Sequence, residues 1–84
     1  MLDTSNLLEN LDKIHTTELG VERISRNLGL VDVDIVAWCK ERIASADSIV
    51  RRGKNWYVDI DDAVITVNAH SFTVITAHKV KQRW

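Results

Sequence analysis

Proline is absent from this 84-residue chain, glycine occurs only at positions 20, 29 and 53, and Cys39 is the single cysteine. One cysteine excludes an internal disulfide and any cysteine-based metal centre. No apolar run reaches the roughly 18 residues that a membrane span requires. The start, Met1-Leu2-Asp3-Thr4, lacks the basic region and apolar stretch of a secretory signal, so a reduced, cytoplasmic location is expected. Low-complexity tracts, linkers and internal repeats are also missing, which leaves one small domain spanning residues 1–84. What remains is 45% apolar and 27% charged, ordinary for a globular chain and too hydrophobic for disorder.

The pattern changes near residue 47. Residues 1–46 repeat their apolar side chains at helical spacing, and residues 47–81 alternate β-branched and aromatic ones. The first helical segment places Leu7, Leu8, Leu11 and Ile14 on one face, with Asp3 or Thr4 as its cap. A second starts at Thr16-Thr17-Glu18, turns Leu19, Ile24 and Leu28 inward, and stops at Leu28-Gly29-Leu30. A third starts at an Asp32 cap and runs to about Ala44, burying Ile35, Val36, Cys39 and Ile43.

Four strands follow. Ser48–Arg52 leads through Gly53-Lys54 into a strand whose Trp56, Val58 and Ile60 share a face. Asp61-Asp62 turns into Ala63–Asn68, and His70-Ser71 turns into Phe72–Val80. Apolar runs at Val64–Val67 and Val74–Ile75 suit central strands covered on both sides. The expected fold is α+β: three N-terminal helices packed on one face of a four-stranded antiparallel meander, the other face open to a ligand.

Charge is divided unevenly. Residues 1–50 carry a net −4 and residues 51–84 a net +3, with no acid after Asp62. A near-neutral total thus conceals a basic sheet, which attracts phosphates; charged edge strands also serve simply to block aggregation. Arg26, Arg51, Arg52, Lys54 and Lys79 are the expected nucleic-acid contacts. His15, His70 and His78 lack the spacing of a metal site, so no metal or other cofactor is expected. RNA cleavage without metal needs a base, an acid and cations for the phosphorane. His15 and His78 across the helix–sheet seam, with Arg23 beside them, supply those types, and His78 is expected on the strand face of Phe72, Val74 and Thr76.

Three stretches carry a resemblance: His15–Leu30, Gly53-Lys-Asn-Trp-Tyr57 and Ile65–Lys79. They resemble a family of small bacterial proteins, a domain of unknown function common in Firmicutes, over nearly the whole chain. The order of elements is more distantly similar to the ribonuclease-toxin superfamily of barnase, EndoU, colicin and RelE nucleases. In that resemblance His15, Arg23 and Arg26 match an opening His followed by helical Arg residues, and Thr76 and His78 match the closing strand. The chain has Leu19 where those relatives place an Arg one turn after the His. The resemblance implies an RNA-engaging domain with metal-independent cleavage.

A non-catalytic binding module is the alternative. Val21–Leu30 followed by Asp32–Trp38 looks like a helix-turn-helix with Arg51-Arg52-Gly53-Lys54 as a basic wing, although Asp32 and Asp34 would face the polyanion. A small regulator docking on a protein partner is the other form of this reading. Trp38 is expected half-buried at the helix–sheet contact, Trp56 in the core or stacked on an unpaired base, and Trp84 as a terminal anchor. Cys39 reads as a small buried hydrophobe. Either edge strand offers a route to self-pairing.

Overall fold

A computed structural model describes residues 3–60 and 63–80, with side chains from Asn6 onward. The cap expected of Asp3 or Thr4, the Asp61-Asp62 turn and the terminal Trp84 lie outside the described residues. In chain order the elements are helix α1 (Asp3–Glu9), a 3₁₀ turn (Leu11–Lys13), α2 (Glu18–Leu28), α3 (Ile35–Ala44), and strands β1 (Ser48–Arg52), β2 (Asn55–Ile60), β3 (Ala63–Asn68) and β4 (Val74–Lys79). The class is α+β, with three α-helices and one antiparallel sheet of order β1-β2-β3-β4 among the described residues. No helix there is long and apolar enough to cross a membrane.

Side-chain caps and a left-handed glycine set the ends of α2 and the start of α3. Thr17 caps α2 by accepting the Gly20 N–H at 3.0 Å. Gly29 ends it in the left-handed region (φ +68°), where the Leu30 N–H reaches Ser25 O at 2.9 Å. The buried face of α2 is Gly20, Ile24 and Leu28, spaced by four residues. Leu19, expected inward, sits one position off that row and is 68% exposed. The cap of α3 is Asp34, whose Oδ1 accepts the Ala37 N–H at 3.1 Å, and not Asp32, which takes a positive φ in the preceding loop. Ile35, Cys39 and Ile43 form the buried stripe of α3, while Val36 is only half-buried. The first segment is interrupted at Asn10, so Leu7 and Ile14 are buried but Leu8 is turned out.

Trp56, Val58, Ile65, Val67, Val74 and Ala77 face the helices and close the core, Trp56 being fully buried. Full burial of side chains of this size contributes about 1.5–3 kcal/mol each. Along β3 and β4 the pairing runs Ile65–Ala77, Thr66–Thr76, then Val67–Val74, leaving Ile75 as an extra residue. This bulge corrects two expectations. It explains the apolar Val74-Ile75 pair without a second covering layer, since Val74 is buried and Ile75 is 39% exposed. It also changes the alternation along β4: Val74 and Ala77 point inward, and the exposed His78, paired with Val64, lies on the open face. His78 therefore does not share the face of Val74.

The two edges differ. Along β4, the His15 N–H donates to Phe72 O at 3.2 Å and the Val74 N–H to His15 O at 2.7 Å. The Thr16 hydroxyl donates to Val74 O at 2.8 Å, and Asn27 Nδ2 to Ala77 O at 3.1 Å. At the other edge, β1 is exposed at every residue except Ile49.

Gly20 fits where α2 passes the Thr16 hydroxyl; a Cβ there would collide with Thr16 Oγ1. Gly20→Ala, normally favourable in a helix by up to about 1 kcal/mol, is therefore expected to destabilise by about 1–3 kcal/mol. Urea unfolding of the variant measures the sign.

Candidate nucleic-acid interface

The turn of the β1–β2 hairpin, Gly53-Lys54, and the β3–β4 loop, residues 69–73, come together at one end of the sheet. The Ala69 N–H donates to Lys54 O at 2.7 Å and ties the loops to each other. Between them opens a cleft of about 510 Å³ lined by Arg51, Lys54, Asn68, Ala69, His70 and Ser71. Its size lies in the range of small-ligand sites.

Its walls are held by local hydrogen bonds. Asn68 Oδ1 accepts the backbone N–H groups of His70 and Ser71, both at 2.9 Å, an Asx turn that shapes the loop. The Phe72 N–H closes the loop onto Asn68 O at 2.9 Å, and Phe72 takes φ +60°, a costly conformation for a bulky residue. Its ring lies 5.6 Å from that of Trp56, with Lys13 Nζ 5.7 Å from its centroid. The Arg51 guanidinium stands 5.6 Å over the Trp56 ring, and its Nε donates to Gly53 O at 2.8 Å. A pair of aromatic rings is thus flanked by a cation at each end, in the order Arg51, Trp56, Phe72, Lys13.

His15 reaches this end through its backbone bridge to Thr73. Its Nδ1 lies 2.9 Å from Lys13 O and its Nε2 3.0 Å from Thr73 Oγ1, which is 2.7 Å from Ser71 Oγ. A carbonyl only accepts, so Nδ1 carries the proton and Nε2 of the neutral ring accepts from Thr73.

The expected site residues divide between the two ends of the sheet. Arg51, Lys54 and His15 belong to the cleft end, with Arg52 beside Asn55 on the adjoining open face. His78 lies five residues beyond Thr73 along β4, on the order of 15 Å of strand. The structure does not bring His15 and His78 together. Lys79 is at that far end too, pairing with Ala63 and lining a hollow of about 250 Å³ with Trp38 and Arg42. Arg23 and Arg26 are exposed on α2, Arg26 beside a shallow apolar hollow with Val21 and Val31. Trp56, fully buried, offers no face to a base, whereas Trp38 is half-buried beneath the Arg42 guanidinium at 5.3 Å. Asn68, Ser71 and Thr73 were not expected as site residues; the Asn-Ala-His-Ser run signalled a turn, and its polar groups line the cleft.

A family model described as "Protein of unknown function (DUF3781)" matches residues 8–78. The chain belongs to this family. The match spans both loops of the cleft and His15, so the site falls within the DUF3781 domain. No curated protein and no solved structure matches the chain significantly. Among the described residues no group of His, Cys, Asp and Glu is arranged to hold a metal ion.

Cys39 stands apart from this site. It is buried on α3, and desolvation pushes its thiol up from 9.0 to about 12. A value raised by folding favours the neutral thiol, so this contribution to stability is intact below pH 9 and is lost as pH rises towards 12. A thiol reagent at neutral pH is expected to leave Cys39 unmodified until the chain is unfolded. Cys39→Ala should lose less stability than the parent between pH 9 and 12, measured by urea unfolding across that range.

Proposed function

We propose that this DUF3781 protein is a single-stranded RNA-binding module that holds phosphates in the cleft between the β1–β2 turn and the β3–β4 loop. The observation that carries the reading is the convergence of Arg51 and Lys54 with the hydrogen-bonding side chains of His70 and Ser71 around one cleft. The cations supply attraction to a phosphate backbone, and the imidazole and hydroxyl offer partners for a ribose 2′-hydroxyl. Arg52 and the half-buried Tyr57, on the adjoining open face of the sheet, extend the contact with a second cation and an aromatic surface. The expected acid–base pair of His15 and His78 is left out, because the strand between them is too long for one scissile phosphate.

Duplex binding by α2 and α3 fits less well. Their connection spans residues 29–34, longer than the three to four residues of a helix-turn-helix, and it brings Asp32 and the Asp34 cap to the start of the second helix. Acids there repel a phosphate backbone.

Fluorescence anisotropy with a labelled single-stranded RNA tests the reading. Lys54→Ala should weaken binding and lower the slope of log affinity against log salt by about 0.7. Lys79→Ala, at the opposite end of the sheet, should leave both unchanged. Equal effects of the two substitutions, or no binding by the parent, would overturn it.

A further inference from the structure

Ser71 is the hydroxyl of the cleft that stands in a hydrogen-bonded row with Thr73 and the His15 imidazole. The Lys13 carbonyl can only accept, which places a proton on His15 Nδ1, so in the neutral form of the ring Nε2 holds the lone pair. Thr73 Oγ1, 3.0 Å away, donates to that lone pair, and its own oxygen is then free to accept. Ser71 Oγ lies 2.7 Å from Thr73 Oγ1 and 3.2 Å from Asn68 Oδ1, which two backbone N–H groups already occupy. The Ser71 hydroxyl can donate to Asn68 Oδ1, and its shorter contact with Thr73 Oγ1 opens a second path for the same proton, towards His15. The residue lines the cleft with Arg51 and Lys54.

A hydroxyl linked to an imidazole, with the imidazole oriented by a third group, is the arrangement of an activated nucleophile. Here Thr73 is interposed between the two. We propose that Ser71 is a nucleophile toward phosphodiesters, with Thr73 carrying its proton to His15. The substrate class rests on the reading of the cleft as a phosphate site.

In the step, the Ser71 Oγ–P bond forms while the Ser71 proton passes to Thr73 Oγ1 and the Thr73 proton to His15 Nε2. The P–O bond to the leaving alcohol breaks, and that oxygen takes a proton from water. The hydroxide so formed attacks phosphorus. Ser71 Oγ departs and recovers its proton from His15 through Thr73. Diester and water thus give monoester and alcohol. Arg51 and Lys54, which line the same cleft, supply the cations for the charge that develops on the phosphoryl oxygens.

The test uses the full chain and a biotinylated fluorophosphonate, which phosphonylates activated serines with loss of fluoride and is not turned over. Intact mass and peptide mapping are expected to show one adduct, on Ser71, absent from Ser71→Ala. Thr73→Val and His15→Gln should slow labelling on the order of 100-fold, and Thr73→Ser, which keeps the hydroxyl, should restore it. Thermal melting of each variant separates a lost relay from a lost fold. No adduct on the parent, an adduct elsewhere, or labelling of folded Thr73→Val at the parent rate would overturn the proposal. Failure of the RNA-binding reading is seen separately: a labelled Ser71 in a protein that does not bind RNA removes the RNA and keeps the nucleophile, and RNA binding without an adduct does the reverse.

Discussion

The N-terminal half of the chain supplies hydrogen-bond partners to the outer edge of β4, and both the fold and the cleft depend on this. An edge strand presents a row of N–H and C=O groups that must find partners. Here the partners come from far away in sequence: His15 by its backbone, Thr16 by its hydroxyl and Asn27 by its amide. These bonds seat α2 against β4, and they fix where the segment before α2 must pass. Because that segment passes Thr73, the His15 ring arrives beside the β3–β4 loop. Loss of the Thr16 or Asn27 contact would therefore loosen the packing of α2 and the position of His15 together.

The bulge at Ile75 is the second organising feature. One additional residue lets Val74 and Ala77 both face the core, and it places His78 on the uncovered side. Among the described residues, the positive side chains of the sheet stand at two separate ends. Arg51, Arg52 and Lys54 cluster around the hairpin turn, and Lys79 sits at the far end.

Much of the architecture was legible in the sequence, because it follows from local chemistry. Thr17, Gly29 and the alternation of Trp56, Val58 and Ile60 each specify their own neighbourhood through a cap, a left-handed turn and a strand period. Leu19 and Asp32 were misread for a shared reason. A nearby residue, one position on for Leu19 and two for Asp32, satisfied the local rule as well, and only the register of the packed helix selects Gly20 for the buried row and Asp34 for the cap. The bulge was hidden because Val74-Ile75 reads equally well as a strand buried on both faces. The cleft was the least legible part. Arg51 and Lys54 stood out by charge, but the approach of Thr73 to His15 links positions 58 residues apart, and no local pattern encodes it.

The asymmetry between the two sheet edges has a consequence for assembly. With part of the β4 edge taken by His15, Thr16 and Asn27, β1 is the more open edge, and there Arg51 and Arg52 stand next to Val50. A second copy laid parallel and in register would set arginine against arginine and be repelled. An antiparallel copy centred on Val50 would oppose Arg52 to Ser48 and Arg51 to Ile49, so no two guanidinium groups would sit directly opposite each other. The guanidinium groups of β1 therefore discriminate by direction, disfavouring in-register parallel pairing at that edge relative to antiparallel pairing.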